Sequence, residues 1–402
     1  MMKERKAVTR ETTRRYCRAD RGAKTAILNE FIKVTSLNRK YAIQLLKGSL
    51  RARAPGSVNT RPRGRPRVYD PNVLAMLKRL WALFGFMCGK RLAPAIRVNL
   101  VVLEKFRELR GLSQNTREKL LRLSPATIDR LLVEEWKKLR LKGRSHTRPG
   151  SLRKSLIPLR SFGSEEQKLP GYVEVDLVGH DGGSSSGEFA QTLALTDVAT
   201  GWTEIRAVRN KAQKWVFPAL QHLVSLLPFA LKGLNADNGG EFINRNLYRW
   251  CQLTHVAFTR SRAYRKNDNP YVEQKNNAVV RTAVGYYRYE TQEQLRLLNQ
   301  LYAQLRLLVN FFYPSMKLIE KIRVGSRVKK RYDTPTTPYQ RVLDCIQIDE
   351  RGKEKLRAEF QQLNPAAITR TLCSLQAQLA RKAAARQRML DDQRRSALIA
   401  AG

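Results

Sequence analysis

Tyr172-Val173-Glu174-Val175-Asp176-Leu177-Val178 opens the part of this 402-residue chain that decides its fold. Apolar and β-branched residues alternate with charged ones, the period-two pattern of a strand with one buried face. A Gly/Ser loop from Gly182 to Gly187 follows, and then Phe189-Ala190-Gln191-Thr192-Leu193-Ala194-Leu195-Thr196-Asp197. A turn at Ala199-Thr200-Gly201 leads into Trp202-Thr203-Glu204-Ile205-Arg206-Ala207-Val208. Three such runs joined by short turns predict an antiparallel meander. A helix is expected over 211–227, with Trp215, Leu220, Leu223 and Leu227 in its apolar set. A short strand from Leu231 ends at Asp237, a helix covers 242–252, and a strand runs from His255 to Thr259. After a loop through Lys266-Asn267-Asp268-Asn269, a long helix starts at Pro270. The order β-β-β-α-β-α-β-α predicts an α/β domain over 169–314, a mixed five-stranded sheet with helices.

The flanks read differently. Residues 1–69 hold 19 Lys/Arg against 4 Asp/Glu. Within them, Ile27, Leu28, Phe31 and Ile32 recur at helical spacing, a break falls at Thr35-Ser36-Leu37, and a second short helix begins near Asn38. That is the helix-turn-helix layout, so 1–50 is expected to be a DNA-binding domain with Arg39, Lys40 and Gln44 toward the major groove. Residues 51–69 form a linker in which Arg63-Gly64-Arg65-Pro66 has the look of an AT-hook, a narrow extended backbone that lays Arg63 and Arg65 in an A·T-rich minor groove. Asp70-Pro71 caps a further helix, and residues 70–140 are expected to be a second all-helical DNA-binding domain. Its candidate recognition helix opens at Ser124-Pro125 and carries Arg130. Residues 141–168 are a second basic linker, and 315–402 a basic, mainly helical C-terminal region.

Composition narrows the partner. Apolar residues make up 42% and aromatics 8%, enough for sizeable cores, so the chain is not wholly disordered. The formal charge of +42 makes the chain self-repelling unless an anion neutralises it, and nucleic acid is the partner it suits. No apolar run approaches the ~20 residues that span a bilayer. The N-terminus lacks the apolar stretch of a secretory signal, so no membrane and a bacterial cytoplasmic, nucleoid-associated setting are expected. Five cysteines with no C-x-x-C pair and four dispersed histidines argue against a zinc site or a disulfide framework.

Three carboxylates carry the chemistry. Asp176 lies on the first strand, Asp237 ends the fourth, and Glu273 lies one turn into the long helix. A sheet that pairs those two strands points both aspartates to the same end, and a helix across that end brings up Glu273. Clustered carboxylates repel without a cation, and hard oxygen ligands favour Mg²⁺ or Mn²⁺. Two such ions support phosphoryl transfer with no protein nucleophile. Lys266, Lys275 and Arg281 flank Glu273 as candidate phosphate contacts. Glu241, four residues past Asp237, competes with Glu273 but is expected to face away.

These motifs resemble a known family. Asp237-Asn238-Gly239-Gly240-Glu241-Phe242 is similar to the second-aspartate motif of the retroviral integrase superfamily, which includes many bacterial insertion-sequence transposases. Between Asp237 and Glu273 lie 35 residues, the spacing of that DDE group. Asn269-Pro270-Tyr271-Val272-Glu273-Gln274-Lys275-Asn276 resembles its glutamate-helix motif, and Leu195-Thr196-Asp197 with Thr200-Gly201-Trp202 its second strand and hairpin. The likeness covers about 171–313. It implies an RNase H-like core in which Asp176, Asp237 and Glu273 bind two Mg²⁺ or Mn²⁺ ions. It also implies hydrolysis at DNA 3′ ends and joining to target DNA by a homo-oligomer on paired element ends, with a helper ATPase as a further partner of some relatives. Many relatives carry Lys or Arg four or seven residues past the glutamate. Here those positions are Asn277 and Val280, and Lys275 or Arg281 is the replacement expected. A catalytically silent regulator and a nuclease that does not join are the rival readings.

Overall fold

The computed structural model describes residues 2–48, 68–138, 169–237, 239–261 and 269–401. Arg63 and Arg65, the linker 141–168 and Lys266 lie outside the described residues. The chain divides into two compact units, Met1–Val68 and Tyr69–Gly402.

The first unit is three helices, α1 (Met2–Arg18), α2 (Arg21–Thr35) and α3 (Arg39–Gly48). The Asp20 side chain accepts the Ala23 N–H and so satisfies a donor that the start of α2 leaves open. Ser36 ends that helix in the left-handed region at φ 54°. Tyr16, Leu28, Phe31, Ala42 and Leu46 form the small core, so α1 supplies a third wall beyond the two helices read from the sequence.

In the second unit, β1 (Tyr172–Gly179), β2 (Gln191–Asp197), β3 (Thr203–Val208), β4 (Gly233–Ala236) and β5 (Ala257–Arg260) form one sheet in the order β3-β2-β1-β4-β5. β2 pairs antiparallel with both its neighbours, while β1, β4 and β5 pair parallel. The mixed five-stranded sheet is therefore the one expected. Helices α8 (Gln213–Ser225) and α9 (Arg245–Leu253) cover one face, where Val173, Val175, Leu193 and Leu195 meet Leu220, Leu223 and Leu247. The other face, with Val178, Ala194, Ile205 and Ala207, belongs to a larger core with Val272, Leu298, Leu301 and Leu372. Those last residues come from α10 (Pro270–Lys275), α12 (Gln292–Leu307) and α15 (Pro365–Ala401).

The helices of 70–140 join that same core. α4 (Pro71–Leu83), α5 (Gly89–Lys105), α6 (Gln114–Leu121) and α7 (Pro125–Lys138) place Leu77, Leu80, Leu92, Ile96 and Ile128 in it. Asn99 donates to the Phe312 carbonyl at 3.2 Å, and Thr369 to the Leu83 carbonyl at 3.2 Å. The sequence divides this stretch off as its own domain; its helices do pack on one another, α5 on α7 and α4 on α6, and they also join the core that α12 and α15 share. Asp70 and Pro71 do start α4 as expected, the Asp70 carboxylate accepting the Val73 N–H.

Buried polar pairs fix the helices to the sheet. Arg306 on α12 makes two parallel bonds to Glu204 on β3, at 2.6 and 2.7 Å, and Trp202 Nε1 adds a third at 2.8 Å. Glu204 is fully buried. Removing one partner leaves a buried charge uncompensated, at about 3–5 kcal/mol. Arg306→Met is therefore expected to lower unfolding free energy by about 3 kcal/mol in urea melts; a loss near zero would show that the pair does not hold α12.

The C-terminal region is mainly helical, with α13 (Pro338–Asp344), α14 (Glu350–Gln362) and α15, but it begins with an antiparallel ribbon that the sequence pattern does not announce. This is β6 (Leu318–Val324) with β7 (Arg327–Tyr332). Among the described residues no helix is long and apolar enough to cross a membrane.

Candidate active site

The site starts from one register. β1 and β4 run parallel with Glu174 opposite Asn235 and Val175 opposite Ala236. One step further along both strands sets Asp176 beside Asp237, at the carboxyl ends where open α/β sheets leave a crevice. Side chains alternate along a strand, so Glu174 and Asp176 share a face, the one that α10 packs against.

The residue two before each aspartate holds the start of α10. Glu174 Oε2 accepts the N–H groups of Tyr271 and Val272 at 2.9 and 3.0 Å. Asn235 Nδ2 donates to the side-chain oxygen of Asn269, just before the helix, while its own oxygen accepts from Thr259 Oγ1 at 2.9 Å. Glu273 stands in the first turn of that helix. Asn276, at its end, donates from Nδ2 to Asp176 Oδ2 at 2.6 Å. The helix then widens into a π-helical segment, Asn276–Arg281, a feature frequent at functional sites.

The electrostatics show the carboxylates as neighbours. Burial pushes Asp176 up to about 7, helped by the charges of Asp237 and Glu273. Burial also lifts Glu174 to about 8 against its two N–H donors, with Glu273 and Asp176 adding to the rise. Asp237 is raised by burial, opposed by the Gly239 N–H at 2.9 Å. Glu241 departs from the orientation expected of it: it folds back over the Asp237 turn, its carboxylate 2.6 to 2.7 Å from where a Cβ on Gly239 would sit. Burial raises it and the Asp237 charge adds to the rise, so it is a fourth carboxylate near the site.

Among the described residues no three acidic, histidine or cysteine side chains stand at metal-ligand spacing. Glu273 is exposed on its helix, and Asn238 lies outside the described residues. The donor set nevertheless fits a hard divalent cation: carboxylate oxygens that raise one another's proton affinity are what a cation would relieve.

The candidate DNA contacts divide. In the first unit Arg39, Lys40 and Gln44 are exposed on α3, with Arg39 donating to Asn29 Oδ1 at 2.5 Å. Arg130 is exposed on α7, bonded back to the Ala126 carbonyl at 3.3 Å. Lys275 is half-buried, and burial pulls its ammonium down to about 7, with Arg91 and Arg341 adding to the fall. Arg281 is committed to the fold: it donates to the Gly179 carbonyl at 2.7 Å and lies 4.8 Å over the Tyr286 ring. It braces the end of β1. Sequence reasoning missed Glu174 and Asn235 as site residues. Their signal was available: each is a polar side chain two positions before an aspartate, on a strand whose neighbours are buried.

Comparison with known proteins sets the chain among relatives. No protein-family model matches it. Among solved structures it is similar to the catalytic core domain of BIV integrase, with 13% identity, a TM-score of 0.29, and coverage of 43% of this chain and 94% of that one. It is also similar to the HTLV-2 integrase catalytic core domain in complex with magnesium, with 14% identity, a TM-score of 0.28, and coverage of 37% and 91%. A simian T-cell lymphotropic virus intasome in complex with PP2A regulatory subunit B56 gamma gives 11% identity, a TM-score of 0.30, and coverage of 61% and 73%. Superpositions this loose carry no argument. The sequence relation is of another order: the chain is 45% identical over 334 residues to the Sinorhizobium fredii protein named "Uncharacterized protein y4rM", across 82% of this chain and 92% of that one. The chain belongs to the family of that Sinorhizobium fredii protein.

Proposed function

We propose that this chain is a DNA transposase that cleaves the 3′ ends of a mobile element and joins them to target DNA. One observation carries the reading: β1 and β4 set Asp176 beside Asp237, and the same two strands hold the helix that brings Glu273 within electrostatic range of Asp176. The formal charge of +42 supports DNA as the partner. Asp176, Asp237 and Glu273 would hold two Mg²⁺ or Mn²⁺ ions. Such ions, when bound, activate a water or a DNA 3′-hydroxyl and stabilise the leaving oxygen. The chain's own work is positioning. Asn276 engages one Asp176 oxygen and the Leu177 N–H the other, and Glu174 and Asn235 fix the approach of Glu273. We further propose that α2 and α3 act as a helix-turn-helix reading the element ends through Arg39, Lys40 and Gln44. On this reading the Arg63–Arg65 arm follows the minor groove, Arg130 and Lys266 touch phosphate, and the enzyme works as a homo-oligomer on paired ends.

The test is a joining assay. Purified protein is mixed with labelled DNA carrying the ends of the genomic segment that encodes it, plus a target plasmid, with and without Mg²⁺. Labelled ends joined to the plasmid, dependent on metal and on Glu273, are the expected result. Tight binding without cleavage would favour the silent regulator. Cleavage without joining would favour the nuclease.

A further inference from the structure

We propose that the β6–β7 ribbon is a contact for duplex DNA. The choice of partner rests on the functional reading above. β6 and β7 pair only with each other, and every described residue from 318 to 332 is exposed. A lone two-stranded ribbon is marginal in water, so one displayed on both faces calls for something to cover it. This one shows Ile319, Ile322 and Tyr332 at 58%, 45% and 43% exposure.

The charge says what the cover is. Residues 318–332 hold six Lys/Arg and one acidic residue, Glu320. Among the described residues, no ion pair engages Arg323, Lys329, Lys330 or Arg331. A second copy of a chain with +42 formal charge is a poor match for such a surface. A polyanion is a good one, and the major groove of B-DNA admits a two-stranded β-ribbon. Exposed apolar side chains between the cations suit that groove, where thymine methyl groups offer apolar contact.

The ribbon is rigidly rooted. Lys317 and Asp333 pair at its base, with the Lys317 N–H donating to Asp333 Oδ1 at 2.6 Å, and Arg341 reaches Asp333 Oδ2 at 2.7 Å. Lys317 Nζ donates to the Ala199 carbonyl at 2.7 Å, tying the base to the β2–β3 hairpin.

The experiment measures binding of the full chain to a short labelled duplex, without divalent metal, over a range of salt. The slope of log K against log salt falls by about 0.9 for each phosphate that the protein no longer neutralises. The combined variant Lys329→Ala, Lys330→Ala, Arg331→Ala is expected to flatten the slope by roughly 2 to 3 and to weaken binding at least tenfold. The control removes equal charge from exposed sites elsewhere, Arg351→Ala, Lys355→Ala, Arg381→Ala, and is expected to change the slope by less than a single phosphate is worth. If the triple variant proves unfolded by circular dichroism, Lys330→Gln alone carries the test, with a slope change of about 1. Equal slope changes in ribbon variant and control would overturn the proposal. So would unchanged DNA binding with a smaller assembly in sedimentation, which would make the ribbon an interface between copies. The assay reads no strand cleavage, so an inactive site would leave its outcome standing.

Discussion

Asp176→Asn is expected to lower DNA cleavage and joining by roughly 10³-fold or more while DNA affinity stays within about twofold; metal-ion catalysis stabilises the transition state by several kcal/mol, and each 1.36 kcal/mol is tenfold in rate. The substitution keeps shape and keeps one oxygen, which serves the Asn276 amide or the Leu177 N–H but not both. Stability gives an independent signature. Burial and neighbouring charges raise Asp176 to about 7 in the folded protein, well above its ordinary 3.8. A carboxyl raised on folding weakens the protein as pH climbs from the unfolded value through the folded one. At pH 8 without divalent cation, Asn at this position should therefore stabilise, by about 1–2 kcal/mol after screening of a half-buried group. An inactive variant with a raised melting temperature, whose advantage fades as Mg²⁺ is added to the wild type, is the expected pattern. Wild-type joining by this variant would remove Asp176 from the chemistry. A loss of DNA binding would show a structural role instead.

Glu174→Ala should have the second-largest effect. Its Oε2 receives two backbone N–H groups from the start of α10, while Oε1 is buried without a partner among the described residues. That matches a carboxyl lifted to about 8, protonated at neutral pH. Truncation leaves two donors unsatisfied and frees the helix that carries Glu273. A displacement of about 1 Å costs on the order of 10²-fold in rate, so kcat should fall by about that factor with little change in KM for DNA. The Mg²⁺ concentration for half-maximal rate should rise as well, which a merely structural residue would not cause. Glu174→Gln keeps the accepting oxygen and should recover most of the rate. If alanine and glutamine behave alike, the hydrogen bonds to Tyr271 and Val272 do not position the site.

The three candidate carboxylates were legible because chemistry constrains both their type and their spacing. Asp176 sits among β-branched neighbours, where an unpartnered charge is costly, and Asp237 precedes two glycines. The sheet was legible because alternation and turn residues are local signals. What lay hidden depends on packing. Glu174 reads as the polar face of a half-exposed strand until α10 covers it. The helices α4 to α7 pack on one another and so read as a separate domain, while the core they share with α12 and α15 leaves no local mark. Glu241 was misjudged because four residues past Asp237 the chain is still turning, and Gly239 leaves room for its carboxylate to fold back. The ribbon carried one local mark, Gly325-Ser326, with Gly325 at φ 59° as a two-residue hairpin requires. Its period-two pattern was lost among basic residues because neither face is buried.

The central claim is that Asp176, Asp237 and Glu273 share bound divalent cation. Iron(II) substituted for magnesium, with ascorbate and peroxide, cuts the polypeptide beside the bound ion, and mass spectrometry reads the breaks. The account predicts cuts clustered near residues 176, 237 and 273, suppressed by excess Mg²⁺ and lost together in Asp176→Asn. Cuts elsewhere in the chain, with these three segments intact, would contradict it.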